Sequence, residues 1–410
     1  MSLSQVNKNM TSSTVVWIYR SSLAYLLYTM VLQKIIQLIR HRLSPSNPLL
    51  LYQKNGLGQH LLSLCKTIQS PYSPPIVWSF GLLSTILYPQ INKARLTNQP
   101  EIMYQREVLN LEKFSNEFEK LTCCPKEVPS GEVSLDWTGA TQEDAKSIYI
   151  LVPGLTGSSS SYYISTFVRY VTSCTPSARV CAYNPRGRGG NTVTSNFLYS
   201  AGYTQDVRRI IQRVHNAANG VPIILVGYSL GGNVVAKFLG EEGEECLVDG
   251  AIVCSPPIDL LSMSNHLCHG IVGQIFDKAL VYSCNQELSS DDHFAKAIHE
   301  NRPSTMVELD GQIIAPMMGC ESASHYYRVA SAGLWLHRIA TPTCFVLPLD
   351  DPIVNGNRVR QDDFAANKFL LAVITNSGGH SMDLPYGSND SSWFAKAAVE
   401  FAEAVQSKIQ

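Results

Sequence analysis

Ile223-Ile-Leu-Val-Gly-Tyr-Ser229-Leu-Gly-Gly-Asn-Val-Val-Ala-Lys237 is the stretch that decides how this chain is read. Four apolar residues lead into Gly227-Tyr228-Ser229-Leu230-Gly231, and small residues at helical spacing begin at once. Strand, sharp turn on a serine, then helix is the G-x-S-x-G nucleophile elbow in the context it requires. A serine hydroxyl is a poor nucleophile until it is lifted clear of the backbone and given a base. The turn does the lifting, and Gly227 and Gly231 leave room where a Cβ would collide. The helix after Ser229 aims its unpaired N–H groups and the positive end of its dipole at the place where an oxyanion would form.

Outward from the elbow the same rhythm repeats. Ile148 to Val152, Arg179 to Tyr183, Ile223 to Val226, Ala251 to Cys254, Thr343 to Leu347 and Leu370 to Thr375 are continuous apolar runs separated by helical stretches. Runs without alternation are buried on both faces, which predicts a mostly parallel sheet covered by helices on each side. Ahead of them, Glu107 to Leu111 and Glu132 to Asp136 alternate like an antiparallel pair, with Ser130-Gly131 read as its turn.

In such sheets ligands bind beyond the carboxyl ends of the strands, so the loops there are candidates for function. Pro153-Gly-Leu-Thr-Gly-Ser-Ser159 follows the first run and is placed to supply an oxyanion N–H from Leu155, beside that of Leu230. Tyr183-Asn-Pro-Arg-Gly-Arg-Gly-Gly190 lacks the G-x-x-x-x-G-K-[ST] pattern of a phosphate loop; it reads as a turn with Arg186 paired internally. The acid and the base are expected later in the chain. Pro348-Leu-Asp350-Asp351-Pro352 ends one strand and Asn376-Ser-Gly-Gly-His380 ends the next. His380 sits on a glycine loop that lets an imidazole swing over Ser229, and Asp351 is the chosen partner for its other nitrogen, with Asp350 the alternative.

Composition sets the limits. Of the 410 residues, the first 100 contain nine Lys or Arg and no Asp or Glu, leaving 23 basic against 33 acidic residues in the rest. A basic leader without an RNA-binding motif points to a membrane surface rather than nucleic acid. Val15 to Ile39 is apolar but bracketed internally by Arg20 and Lys34, which suits one tilted span or an interfacial helix; residues 1–43 are therefore read as an N-terminal membrane anchor. Lys34, Arg40 and Arg42 outnumber Lys8 and Arg20, which leaves the body cytosolic by the positive-inside rule. Residues 44–104 are read as a linker and N-terminal segment, irregular from 44 to 74; the apolar Pro75 to Ile91 is punctuated by Gly81 and Pro89. Eleven cysteines without metal spacing, Cys123-Cys124 adjacent, read as small buried hydrophobes in a reducing compartment. The sequons Asn9-Met-Thr11 and Asn389-Asp-Ser391 would argue otherwise if used. No metal or nucleotide cofactor is called for.

Several stretches then resemble a known family: Ser130-Gly-Glu-Val-Ser-Leu-Asp-Trp137, Pro153 to Ser159, Asn184-Pro-Arg-Gly187, Leu198-Tyr-Ser-Ala-Gly-Tyr-Thr-Gln-Asp206, the elbow itself, Tyr326-Tyr-Arg-Val-Ala-Ser331, Asp350-Asp-Pro352 and Gly378-Gly-His380. Together, over residues 75 to 385, they are similar to the α/β-hydrolase-domain lipid hydrolases of the branch holding abhydrolase domain-containing proteins 1 and 3. The resemblance implies an α/β-hydrolase fold over residues 105–405 with a helical cap at about 256–340, and an N-terminal membrane-anchor helix. It implies Ser229, Asp351 and His380 as the charge relay and phospholipids or acylglycerols as substrates, with the endoplasmic reticulum as a candidate membrane. Two departures stand out. Leu82-Leu-Ser-Thr85 replaces a His-bearing segment, and Ser-Met-Asp after His380 replaces a more apolar one.

The expected chemistry is carboxylic ester hydrolysis through an acyl-enzyme, with no cofactor. Ile271 to Phe276 and Ala279 to Tyr282 are the cap pieces expected to admit an acyl chain. Alternatives are an acyltransferase using the same acyl-enzyme, although no histidine begins an H-x-x-x-x-D arrangement, and a non-catalytic membrane scaffold on the same fold. Epoxide or haloalkane hydrolysis is disfavoured, because those enzymes place a carboxylate where Ser229 stands.

Overall fold

The computed structural model describes residues 46–54, 56–115, 125, 127–289, 291–354, 360–381, 383, 385–386 and 391–409. The expected anchor at 1–43, Cys123-Cys124, the first sequon and the Asn389 of the second lie outside these. Nine strands form one sheet: β1 (Leu49–Tyr52), β2 (Gln105–Leu111), β3 (Gly131–Gly139), β4 (Ser147–Val152), β5 (Ala178–Asn184), β6 (Ile223–Tyr228), β7 (Gly250–Cys254), β8 (Thr343–Pro348) and β9 (Leu370–Thr375). Their spatial order is β1-β9-β8-β7-β6-β4-β5-β3-β2. The six central strands from β9 to β5 run parallel, and they are the six apolar runs of the sequence. Antiparallel pairs close both edges.

Alternate residues of the parallel strands point to opposite faces, so each strand feeds two cores. Tyr149, Leu151, Val226 and Val373 pack on one side with Phe167 and Val171 of helix α3 (Tyr162–Cys174) and Phe394 and Phe401 of α8 (Trp393–Ile409). Ile150, Leu225, Val253 and Phe345 pack on the other with Ile210 and Val214 of α4 (Gln205–Ala218) and Phe238 of α5 (Leu230–Glu242). Full burial of each such side chain contributes about 1.5–3 kcal/mol. Cys65, Cys181, Cys254 and Cys344 are buried within these two cores as small apolar side chains.

The described part of the segment expected to be mostly irregular, from residue 46 to 74, is instead largely ordered. β1 pairs antiparallel with β9, Leu49 opposite Ile374. Helix α1 (Gly56–Leu64) buries Leu57, Leu61 and Leu62, and Thr67 binds Glu400 of α8 through its backbone N–H and its hydroxyl, each at 2.7 Å. Short elements of this kind are marginal alone and exist because tertiary contacts stabilise them. Pro75 to Ile91 also orders, into a 3₁₀ turn at Ile76–Ser79 and helix α2 (Gly81–Leu96), inside which lies Pro89. Ser130-Gly131 is not the turn between β2 and β3: a further short strand pair, Phe114–Ser115 with Glu127–Val128, intervenes, and Gly131 already belongs to β3, opposite Leu111. Gly131 is required there because a Cβ would meet the Arg186 guanidinium at 2.1 Å.

Between β7 and β8 the chain makes a run of helices, including α6 (Leu260–Cys268) and α7 (Ile271–Ser289). Among the described residues, no helix is long and apolar enough to cross a membrane.

Candidate active site

Ser229 is the residue between β6 and α5, and its backbone is forced to φ 48° and ψ −120°. A non-glycine residue there carries about 1–3 kcal/mol of strain, which the surrounding packing must hold. The hold is visible: Ser229 N–H donates to the Cys254 carbonyl at 2.9 Å, and the Ser229 carbonyl accepts from Asn233 N–H at 3.1 Å. A Cβ on Gly231 would lie 2.3 Å from the Pro153 carbonyl oxygen, so the elbow and the loop after β4 can approach only with glycine here.

His380 Nε2 lies 2.8 Å from Ser229 Oγ, and His380 Nδ1 lies 2.7 Å from Asp351 Oδ2. Asp351 and His380 are both buried. The other carboxylate oxygen of Asp351 accepts from Ile353 N–H at 2.8 Å and Val354 N–H at 2.9 Å, which fixes its orientation. Asp350, the alternative acid, faces elsewhere: its Oδ1 accepts from Gly379 N–H at 2.8 Å and so braces the histidine loop. Leu155 and Leu230 line the same cavity as Ser229 and His380. Leu230 is the first residue of α5, where an N–H has no partner in the helical ladder.

Residues that sequence reasoning did not assign hold the loop bearing His380. Thr85 Oγ1 of α2 accepts from His380 N–H at 2.8 Å, and Ser84 Oγ donates to the Gly378 carbonyl at 3.0 Å. Gly379, at φ 57°, packs so closely on α2 that a Cβ would meet Ser84 Oγ at 2.3 Å. Tyr162 OH donates to the Ser381 carbonyl. Asp383 is buried, its carboxyl pushed up by burial, and it accepts from Tyr88 OH at 2.8 Å and Asn92 Nδ2 at 3.3 Å of the same helix. The departures from the family pattern at Ser84-Thr85 and Asp383 are therefore partners across one interface. The available signal was a polar set at 84, 85, 88 and 92 within an otherwise apolar run.

Ser229 opens into a cavity of about 380 Å³. Its walls are mostly apolar, with Leu198, Leu260, Met263, Leu267, Phe276 and Leu280 among them. Of the cap pieces expected to admit an acyl chain, Phe276, Ala279 and Leu280 face this cavity, whereas Ile271, Val272, Ile275 and Tyr282 are exposed on the outside of α7. Arg186, Arg188 and Asp310 also reach the cavity. Arg188 pairs with Glu287. Asp310 accepts from Tyr327 OH at 2.7 Å, and burial raises its carboxyl to about 7.

Arg186 on the glycine loop is only 3% exposed; it is committed to Asp206 by two hydrogen bonds at 2.7 and 3.0 Å and to the Pro129 carbonyl at 3.0 Å. That loop is a braced turn, as its sequence suggests. Among the described residues no group of His, Cys, Asp or Glu has metal-binding geometry.

Residues 150–310 match the family described as the alpha/beta hydrolase fold. A monoacylglycerol lipase of Saccharomyces cerevisiae is 28% identical over 248 residues, 58% of this chain and 55% of that protein, so the match spans about half of the yeast enzyme's length. Phospholipase ABHD3 of Homo sapiens is 23% identical over 81% of this chain and 78% of its own, and human monoacylglycerol lipase ABHD2 is 23% identical over 92% and 89%. The sheet, the serine at its elbow and the matched stretch give the chain an α/β-hydrolase fold, similar in sequence to proteins named monoacylglycerol lipase and phospholipase.

Proposed function

We propose that the protein is a membrane-associated serine hydrolase that cleaves carboxylic esters of lipids, phospholipids or acylglycerols, through an acyl-enzyme. The observation that carries this reading is the continuous chain Asp351–His380–Ser229, with contacts of 2.7 and 2.8 Å, at the floor of an apolar cavity. His380 Nε2 takes the Ser229 proton as Oγ attacks the ester carbonyl; Asp351 holds Nδ1–H and so the tautomer that leaves Nε2 free to accept. The N–H groups of Leu155 and Leu230 stabilise the oxyanion, His380 returns its proton to the departing alcohol, and water activated by the same histidine releases the acid. The cavity walls suit an acyl chain, and the names of the similar proteins support a lipid ester.

The test is labelling by a fluorophosphonate, with hydrolysis of a soluble ester alongside. Wild type is expected to label and Ser229→Ala to do neither. Full esterase activity in purified Ser229→Ala would falsify the assignment.

A further inference from the structure

Helix α2 is amphipathic in the wrong sense for a protein surface in water. Its buried side is polar: Ser84 and Asn92 are almost fully enclosed, with Tyr88, and they bind the histidine loop, Thr166 and Asp383. Its outer side is apolar. Leu82, Leu83, Ile86, Leu87 and Ile91 recur at helical spacing and are exposed between 39% (Leu83) and 54% (Ile91). A surface helix ordinarily turns such a stripe inward. Here it cannot, because rotating α2 to bury the leucines would withdraw Thr85 from His380 and Ser84 from Gly378.

A second apolar face accompanies it. Ile271, Val272, Ile275 and Tyr282 of α7 are exposed, Ile271 by 80%. Both helices also line the cavity over Ser229, α2 through Thr85 and Pro89 and α7 through Phe276, Ala279 and Leu280. Among the described residues, nine of the exposed large apolar side chains thus sit on the two helices that line the candidate acyl site, and clustered apolar exposure of this kind marks an interaction site. The charge nearby fits one kind of partner. Lys93 and Arg95 occupy the last turns of α2, and the chain has no Asp or Glu before Glu101. An apolar helix face ending in basic residues suits the boundary between anionic headgroups and acyl chains. With 16 residues and an internal proline, α2 fits a helix lying in that boundary rather than one crossing it.

We infer that the outer faces of α2 and α7 dock on a phospholipid bilayer, so that an ester lipid passes from the membrane into the cavity without crossing water. This rests on the reading of that cavity as a lipid ester site. The experiment uses the full chain with Leu83→Glu/Leu87→Glu and, separately, Ile271→Glu/Ile275→Glu. Each is assayed on a short soluble ester and on a long-chain ester carried in phosphatidylcholine–phosphatidylserine vesicles. Both variants are expected to keep soluble-ester activity within about twofold and to lose at least tenfold on vesicles.

A Leu87→Trp variant reports docking without catalysis: brominated lipid in the vesicles should quench its emission beyond that of wild type. Equal vesicle activity in both double variants, or no extra quenching, would overturn the inference and leave the face to a second copy of the chain or to its own apolar segment at 15–39. If the α2 variant loses soluble-ester activity as well, the α7 variant and the quenching decide. If wild type cleaves neither ester while quenching persists, the hydrolase reading fails and the docking face stands.

Discussion

Gly81→Ala tests whether α2 is a working part of the candidate active site. A Cβ on Gly81 would lie 1.9 Å from the Asp350 carbonyl oxygen and 2.7 Å from its Cγ. The obstacle is backbone on the strand-end loop that also carries Asp351, so it cannot swing aside as a side chain could. To reach ordinary contact near 3.4 Å the helix must retreat by about 1.5 Å, taking Thr85 and Ser84 with it. Thr85 holds His380 N–H at 2.8 Å, and that bond does not survive such a shift. Overpacking of this type costs about 1–3 kcal/mol in stability. A displacement near 1 Å at a reacting group can cost roughly 10² in rate. We expect kcat/KM for a soluble ester, and the rate of fluorophosphonate labelling, to fall by about 10² while the protein still unfolds cooperatively, with Tm lower by about 2–10 °C. Leu83→Ala on the outer side of the same helix is the control and should leave the soluble-ester rate within twofold. A Gly81→Ala protein with wild-type rate and Tm would refute the claim that α2 braces the histidine.

Other expectations are sharper for particular groups. Asp351→Asn should lower kcat by roughly 10⁴, because the amide no longer holds the productive tautomer; Asp350→Ala, which removes a brace on Gly379, should lose roughly 10-fold, and the reverse ranking on a soluble ester would exchange their roles. Arg186→Met leaves Asp206 buried without its partner and should destabilise the fold by about 3–5 kcal/mol in denaturant titration, with little change in the rate per folded molecule. Burial, and secondarily Asp277, raise the Asp310 carboxyl to about 7. Its neutral form favours the folded state, so that contribution is complete in acid and is lost as pH rises through 7. Asp310→Asn should therefore gain about 1–3 kcal/mol over wild type at pH 8 relative to pH 4, a shift discounted because the group faces a cavity open to water; parallel stability curves at the two pH values would show that Asp310 is ionised throughout.

The stretches whose structure is written in their own sequence were legible from it. Ile223 to Lys237 carries strand, turn and helix within fifteen consecutive residues, so the turn at Ser229 was legible locally, although its φ of 48° is held by the Cys254 carbonyl on the next strand. The six parallel strands share this property, since being buried on both faces leaves a continuous apolar run. Asp351 and His380 were reachable because the fold order ties each to a strand end. Asp351 was already preferred to Asp350 in the sequence, and the structure gives the two different partners, Gly379 N–H for Asp350 and His380 Nδ1 for Asp351. The segment 46–74 and the role of α2 were not legible at all. Leu57, Leu61 and Thr67 order only against α8, more than 300 residues away, and Thr85 meets His380 across 295 positions. Local pattern describes how a residue sits among its neighbours in the chain. Whether Ser84 and Thr85 face water, lipid or a catalytic loop depends on which surface the completed sheet presents to them. Composition therefore marked α2 as apolar, and only tertiary packing turned its polar side inward to His380 and its leucines out.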